Sequence, residues 1–162
     1  MVTSGVKIKT SRADGGTVVS ERKVQVFFYG SFMSLPMLEA AGIAKRAFAP
    51  ASVTGFELVI APHANLVDSG DGVVFGILAN LNHHELIQLY KTHALKQTDV
   101  PYLPEAVMVH TRGGKMVPAM VYIAAQETNG KPEPAYLKLM TDAARNYGFP
   151  KWYQEHIAAF GG

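Results

Sequence analysis

Five apolar, β-rich segments most limit how this chain can fold, because they do not alternate strictly with helices. The segments cover residues 23–29, 53–60, 72–81, 106–110 and 116–124. Helical periodicity and end signals fit residues 35–46, 83–93, 134–147 and 151–160. Strict alternation would predict a parallel sheet, whereas this order favours an α+β fold with a curved sheet or small barrel flanked by helices.

Turn and cap residues mark the ends of these elements. The Gly-rich stretch 68–72, DSGDG, predicts a turn before the third strand, and TRGGK at 111–115 predicts a hairpin. Asn82 and Glu85 have the spacing of a capping box at the start of the second helix. Gly148 is placed to end the third helix.

Size and charge narrow the class of protein. The 162 residues predict one domain, residues 23–162, preceded by a flexible arm at 1–22. The net charge of +2 is too small to indicate nucleic acid. No stretch approaches the roughly 20 apolar residues of a membrane span, and the start of the chain has no signal-peptide core. We expect a cytoplasmic protein without a membrane or nucleic-acid partner.

Familiar catalytic and metal motifs fail on inspection. HHELIQ at 83–88 resembles a zinc-protease motif, but Gln88 stands where the second histidine is needed. There are no cysteines, so disulfides, thiolate metal sites and a cysteine nucleophile are excluded. GDGVVFG is followed by no phosphate-loop Lys-Ser/Thr, and Gly-x-Ser-x-Gly is missing. No metal or cofactor is expected.

Two features carry more information. VQVFFYGSFMS, at 24–34, is a strand that runs into a tight Gly-Ser turn before a helix, either a plain turn or a ligand loop. His93 follows Leu86, Leu89 and Tyr90 on one helical face, which places it on the buried face at the last turn of the helix. Such a residue is either a hydrogen-bonded core histidine or a proton shuttle.

Five stretches in order resemble the γ-glutamylcyclotransferase-like proteins, a group that includes the AIG2-like proteins. The likeness spans roughly residues 24–160. The stretches are FFYGSFMS (27–34), VTGFELVI (53–60), HANLVDSGDGVVFGILANL (63–81), PYLPEAVMV (101–109) and PEPAYLKLMTDAARNYGFPKWYQEHI (132–157). The resemblance implies a small mixed β-barrel of about five to six strands, flanked by helices, with a cavity at one end.

The resemblance also implies a reaction and a site. A γ-glutamyl amine or amide would cyclise to 5-oxoproline and release its amine without metal or cofactor. The substrate-binding residues implied are Tyr29, Gly30, Ser31, Phe32, Tyr102, Tyr136 and Tyr153. The first four would offer backbone N–H groups to the γ-carbonyl, and Gly30 would permit close approach.

One position departs from the family pattern. The family's acid/base glutamate belongs to a Leu-Asp-x-x-Glu-Gly segment, and a gapless count places His93 there, with Tyr90 at the aspartate. His93 is therefore the expected catalytic residue, although a neutral imidazole lacks the attraction of a carboxylate for the substrate ammonium. Glu85 and Asp99, the nearest carboxylates, do not fit that position.

Three functions remain open on the sequence alone. The first is an enzyme with weak or altered cyclisation, and the second is an inactive module that binds a small γ-glutamyl compound, carboxylate or amide. The third is a protein-interaction scaffold that uses the basic arm at 1–22. A homodimer is also possible, because Phe32, Met33 and Met37 lie close to a loop.

Overall fold

The computed structural model describes residues 21–94 and 98–162. Its five strands close into a small barrel in the order β1-β3-β2-β4-β5. The predicted mixed α+β barrel is confirmed. The strands are β1 (Lys23–Phe28), β2 (Ala49–Ile60), β3 (Ala64–Asn82), β4 (Tyr102–Thr111) and β5 (Met116–Ala124).

The barrel closes where β1 meets β3 on one side and β5 on the other. β1 runs antiparallel to β3, from the pair Lys23–Asn82 to the pair Phe28–Ile77. It runs parallel to β5, with Val26 opposite Met120. Gly76 of β3 lies directly over β1, where a Cβ atom would be only 2.7 Å from Cζ of Phe27. Only glycine leaves room for this approach of the two strands.

The predicted turn at residues 68–72 is wrong, because this stretch lies inside the 19-residue strand β3. The pairing of β2 with β3 continues through it, with a shift in register between Thr54 and Phe56. Gly55 takes a positive φ of 89° there. The glycines therefore form part of a bulge that bends two long strands around the barrel, and the chain reverses earlier, at residues 61–63.

The helices are α1 (Leu35–Ala40), α2 (His83–Ile87), α3 (Pro134–Asn146) and α4 (Lys151–Ala159). The first is shorter than predicted, because the chain turns at Gly42 with φ of 83°. The capping box of Asn82 and Glu85 is present. As predicted, Gly148 lies just after the end of α3, where it takes a positive φ of 70°.

The second predicted helix changes form along its length. After α2, residues Gln88–His93 form a π-helical turn. The Gln88 side chain leaves the helix surface and donates a hydrogen bond to the Ala41 carbonyl at 2.6 Å. π-Helical turns are rare in proteins, and those that do occur are often found at functional sites. This turn brings Tyr90 and Ala94 to the cavity described below.

The core fills the barrel and the space beneath the helices. Phe27, Phe28, Leu81, Leu89 and Tyr153 are among its largest fully buried side chains. No helix in the described part of the chain is long and apolar enough to cross a membrane. The predicted arm at 1–22 lies almost wholly outside the described residues, which begin at 21.

Candidate functional site

A cavity of about 60 Å³ opens beside the Tyr-Gly-Ser turn. A single buried water needs about 10–15 Å³, so the cavity has room for a small polar group. It is lined mainly by aromatic residues and the turn itself: Phe28, Tyr29, Gly30, Ser31, Phe32, His63, Ala64, Tyr90, Ala94, Thr98, Tyr102, Tyr122 and Tyr136. No carboxylate lines it among the described residues.

The turn that follows β1 brings its backbone to the cavity. Ser31–Met33 form a short 3₁₀ turn, in which Met33 N–H donates to the Gly30 carbonyl at 3.0 Å. A 3₁₀ turn leaves its first N–H groups without acceptors inside the turn. A Cβ on Gly30 would lie 3.2 Å from Cβ of Ala64, so a larger residue would press on the facing strand.

Two tyrosines hold the facing Ala64 by both of its backbone polar groups. The Tyr136 hydroxyl accepts a hydrogen bond from the Ala64 N–H at 2.8 Å. The Tyr102 hydroxyl donates to the Ala64 carbonyl at 2.7 Å. The backbone and hydroxyl of Ser31 lie close enough to the Tyr136 hydroxyl to lower its pKa, against the larger rise from burial. These contacts tie β3, β4, α3 and the Tyr-Gly-Ser turn together at one point.

The far wall is built from stacked aromatic rings. The rings of Tyr90 and Tyr122 are nearly parallel, with centroids 3.7 Å apart. Phe32 meets Tyr90 edge-on at 5.4 Å, and the Tyr29 hydroxyl donates to the Tyr122 carbonyl at 2.7 Å. Such packing leaves a flat and rigid wall.

All five cavity tyrosines are neutral at physiological pH. Burial raises the pKa of Tyr29 and Tyr90 well above the ordinary value, and neighbouring tyrosines add to the effect. Burial likewise raises the pKa of Tyr102, Tyr122 and Tyr136. The cavity therefore offers hydroxyl groups and aromatic faces, and its tyrosines supply no charge.

His63 brings a nitrogen-bearing ring to the cavity from the turn between β2 and β3. Its ring meets Tyr136 edge-on, with centroids 5.3 Å apart. Partial burial lowers the pKa of His63 from its ordinary value, while Glu133 acts in the opposite direction. A neutral imidazole can accept a hydrogen bond or a proton.

His93 stands beside the cavity rather than in its lining. The half-buried His93 ring contacts Phe32, with centroids 5.9 Å apart. The residues of the same turn that line the cavity are Tyr90 and Ala94. Glu85 is engaged elsewhere, since its carboxylate accepts from Arg46 and from the Asn82 N–H at 3.0 Å. That pairing lowers the Glu85 pKa.

Tyr153 lies away from the other predicted site residues. It is 1% exposed and packs in an aromatic cluster with Phe75, Phe149 and Trp152. Its hydroxyl lies 3.4 Å from the Phe75 carbonyl. The structure therefore brings Tyr29, Gly30, Ser31, Phe32, Tyr102 and Tyr136 together in one cavity lining and places Tyr153 in the core.

A family model described as the AIG2-like family matches residues 73–157. The chain belongs to the AIG2-like family. A mouse γ-glutamylcyclotransferase is 26% identical over 96 residues, which are 59% of this chain and 50% of the mouse protein. This AIG2-like chain thus spans about half the length of that relative. The predicted family is confirmed.

Solved structures agree on the AIG2-like fold. An uncharacterised human protein superposes with a TM-score of 0.69 at 23% identity, covering 86% of this chain and 88% of that one. A γ-glutamyl cyclotransferase gives a TM-score of 0.67 at 22% identity, with coverage of 85% and 87%. A yeast cyclotransferase specific to glutathione gives 0.60 at 13% identity, with coverage of 88% and 96%. At these identities the likeness concerns the fold.

Sequence reasoning missed several lining residues of this AIG2-like cavity. Tyr122 was hidden in the apolar pattern of β5, and Tyr90 appeared only as a departure from the family segment. His63 begins the family-like stretch 63–81 but had no role assigned there; its position directly before a strand, in a Pro-His turn, was the available signal. In residues 21–94 and 98–162, no group of three His, Asp or Glu side chains is placed to hold a metal ion.

Proposed function

We propose that this protein binds a γ-glutamyl amide in the cavity and cyclises it to 5-oxoproline, with release of the amine. The observation that carries the proposal is the convergence of the Tyr-Gly-Ser turn with Tyr102 and Tyr136 around one cavity. The mouse relative named a γ-glutamylcyclotransferase supports the same class of substrate. Six of the seven substrate-binding residues expected from the family resemblance line this cavity.

The cyclisation needs two proton transfers, the formation of one C–N bond and the cleavage of another. The α-ammonium loses a proton, and the resulting amine attacks the γ-carbonyl carbon to form the five-membered lactam. The amide C–N bond then breaks, and the departing nitrogen takes up a proton. Both transfers need a group whose pKa lies near neutrality.

The Tyr-Gly-Ser backbone is suited to hold the γ-carbonyl oxygen. Preorganised N–H donors stabilise the charge that develops on that oxygen, typically by about 3–4 kcal/mol for a single donor. The Ser31 backbone lies close enough to the Tyr136 hydroxyl to lower the pKa of that hydroxyl. A bound carbonyl would share or replace that hydroxyl as the acceptor.

His93 remains the acid/base predicted from the sequence. It replaces a carboxylate that would attract the substrate ammonium by roughly a few kcal/mol at close range. Its ring contacts Phe32, which in turn lines the cavity. We therefore expect turnover that is slow, and that improves when a carboxylate is restored at this position.

The test is release of 5-oxoproline from a panel of γ-glutamyl amides by the wild-type protein and by His93→Glu. His84→Glu is the matched control, because His84 is exposed at the start of α2 and lies outside the cavity lining. We expect product from the wild type and more from His93→Glu, with the control unchanged. No product from either the wild type or His93→Glu would contradict the proposal.

A second function, binding without turnover, is favoured by the lack of a carboxylate in the described lining. It predicts that a γ-glutamyl amide raises the melting temperature without forming product, since a ligand that binds only the folded state stabilises it. Gly30→Ala should reduce that rise if the turn holds the ligand, because a Cβ at Gly30 would lie 3.2 Å from Cβ of Ala64 and displace the turn. An undiminished rise would place binding elsewhere.

The remaining expectations have less support. The scaffold role rests on the arm at 1–22, which lies almost wholly outside the described residues. The homodimer has less support, because two of the residues expected at its interface, Phe32 and Met33, are buried within the chain, with 9% and 1% exposure. Cytoplasmic location remains a prediction from the sequence.

A further inference from the structure

His63 is the nitrogen-bearing side chain in the cavity lining that has no role in the proposed function so far. It reaches the cavity from residues 61–63, between β2 and β3. Its ring nitrogens make no hydrogen bond with another residue in the described part of the chain, in contrast to His156, whose Nε2 lies 3.0 Å from the Leu58 carbonyl. His63 is therefore available to a ligand.

The surroundings of His63 favour its neutral form. Partial burial lowers its pKa, and Glu133, just before α3, acts in the opposite direction. The other titratable groups on that side are Tyr136, against its ring, and Tyr102, whose hydroxyl is on the Ala64 carbonyl. Burial raises the pKa of both tyrosines. Near pH 7 the imidazole thus retains an acceptor nitrogen.

The position of His63 places that acceptor near the groups expected to hold the γ-carbonyl. Tyr136 lies between His63 and the Tyr-Gly-Ser turn. Its ring contacts the His63 ring, and its hydroxyl lies near Ser31 and accepts a hydrogen bond from the Ala64 N–H. A γ-glutamyl ligand carries its ammonium three carbons from the γ-carbonyl carbon, so a group that receives the ammonium must lie close to the turn. His63 meets this requirement and itself lines the cavity.

We propose that His63 accepts a hydrogen bond from the α-ammonium of the γ-glutamyl ligand and takes the proton that this nitrogen must lose. The proton passes to the imidazole, the free amine forms the bond to the γ-carbonyl carbon, and the imidazolium returns a proton to the departing nitrogen as the amide bond breaks. This inference rests on the proposed function, and it gives to His63 the two proton transfers that the sequence had assigned to His93. It assigns to His63 the contact that a carboxylate would otherwise make.

The experiment measures which part of the ligand His63 recognises. The probes are γ-glutamylmethylamide and the analogue with hydrogen in place of the α-amine, which cannot cyclise. Their dissociation constants are measured by calorimetry at pH 7.5 for the wild type and for His63→Phe, before 5-oxoproline accumulates. Phenylalanine keeps the edge contact with Tyr136 and removes the nitrogens, so the fold is retained. His84→Phe is the matched control, because His84 is exposed and lies outside the cavity lining.

We expect the wild type to bind the amine-bearing probe more tightly than the analogue. In His63→Phe the ratio of the two dissociation constants should fall about tenfold, which is the effect of removing a hydrogen bond to a charged group. Binding of the analogue should stay within about twofold of the wild type. His63→Gln restores a hydrogen-bond acceptor without a base, so it should regain part of the preference and still release 5-oxoproline at least 100-fold more slowly than wild type.

The outcomes separate this inference from the proposed function. If the wild type releases 5-oxoproline but His63→Phe keeps the full preference for the amine, His63 does not contact the ammonium and only this inference fails. If the wild type binds neither probe, both fail. The preference should also weaken as pH falls through the His63 pKa, because protonation removes the acceptor nitrogen, and His63→Phe should lack this dependence.

Discussion

The hydroxyl of Tyr136 offers a direct test of how the cavity is held together. Tyr136→Phe removes one oxygen atom and leaves the ring against His63 in place. The lost oxygen is the acceptor for the Ala64 N–H at 2.8 Å. Ala64 is buried, at 3% exposure, so the change leaves its N–H without a protein acceptor.

The magnitude follows from the orphaned N–H group. A buried donor left without a partner costs about 1–3 kcal/mol, and we expect about 2 kcal/mol for Tyr136→Phe. In a protein of this size, 1 kcal/mol lowers the melting temperature by about 2–4 °C. The expected decrease is therefore about 4–8 °C.

Tyr147→Phe is the matched control. The Tyr147 hydroxyl donates to the Met33 carbonyl at the longer distance of 3.3 Å, and its ring is only partly buried. We expect a change within about 0.5 kcal/mol, as for most surface substitutions.

The assay is urea unfolding followed by the fluorescence of Trp152, the single tryptophan, together with calorimetric melting. Trp152 packs against Phe75 and Tyr153 and is sensitive to loss of the fold. Equal stability losses in Tyr136→Phe and Tyr147→Phe would refute the reasoning, because they would mean that the Ala64 N–H gains nothing specific from Tyr136.

Two further predictions concern the fold around the site. Gly76→Ala should destabilise the protein by at least about 3 kcal/mol or prevent folding, because the added Cβ would collide with the Phe28 carbonyl and the Phe27 ring. Circular dichroism and the yield of soluble protein measure this effect. A melting temperature equal to that of the wild type would contradict the prediction. Glu85 has a lowered pKa, so the stability from its ionised form is present above its unfolded pKa and is lost as pH falls through the folded value. Wild-type and Glu85→Gln melting temperatures should therefore differ near pH 7 and converge once the pH falls below the lowered pKa of Glu85; a constant difference would argue against the ion pair with Arg46.

Local sequence rules predicted the elements whose causes are local. The predicted bounds of β5 and the predicted capping box of Asn82 and Glu85 agree with the structure. Both depend only on residues a few positions apart, so the local sequence contains the whole signal. The turn at 68–72 failed because glycines also form bulges, and pairing between β2 and β3 decides which.

The candidate site was harder to predict, because its parts meet only through tertiary structure. The family motifs supplied Gly30, Tyr102 and Tyr136, but a gapless count across the second helix placed His93 at the acid/base position. The chain adopts a wide turn from Gln88, which carries Tyr90 and Ala94 to the cavity. His63 is brought to the cavity by the reversal between two long strands, which no residue pattern signalled.

The closure of the barrel has a consequence for the order of assembly. The strands that meet at the pair of Val26 and Met120 come from distant parts of the chain, and such long-range pairing carries a loop-closure cost that slows folding. β1 ends two residues before Gly30, so the turn that we propose to hold the ligand reaches its place only when β1 docks. An incompletely folded chain would then have no binding site, and a ligand would draw the population toward the fully closed barrel by mass action.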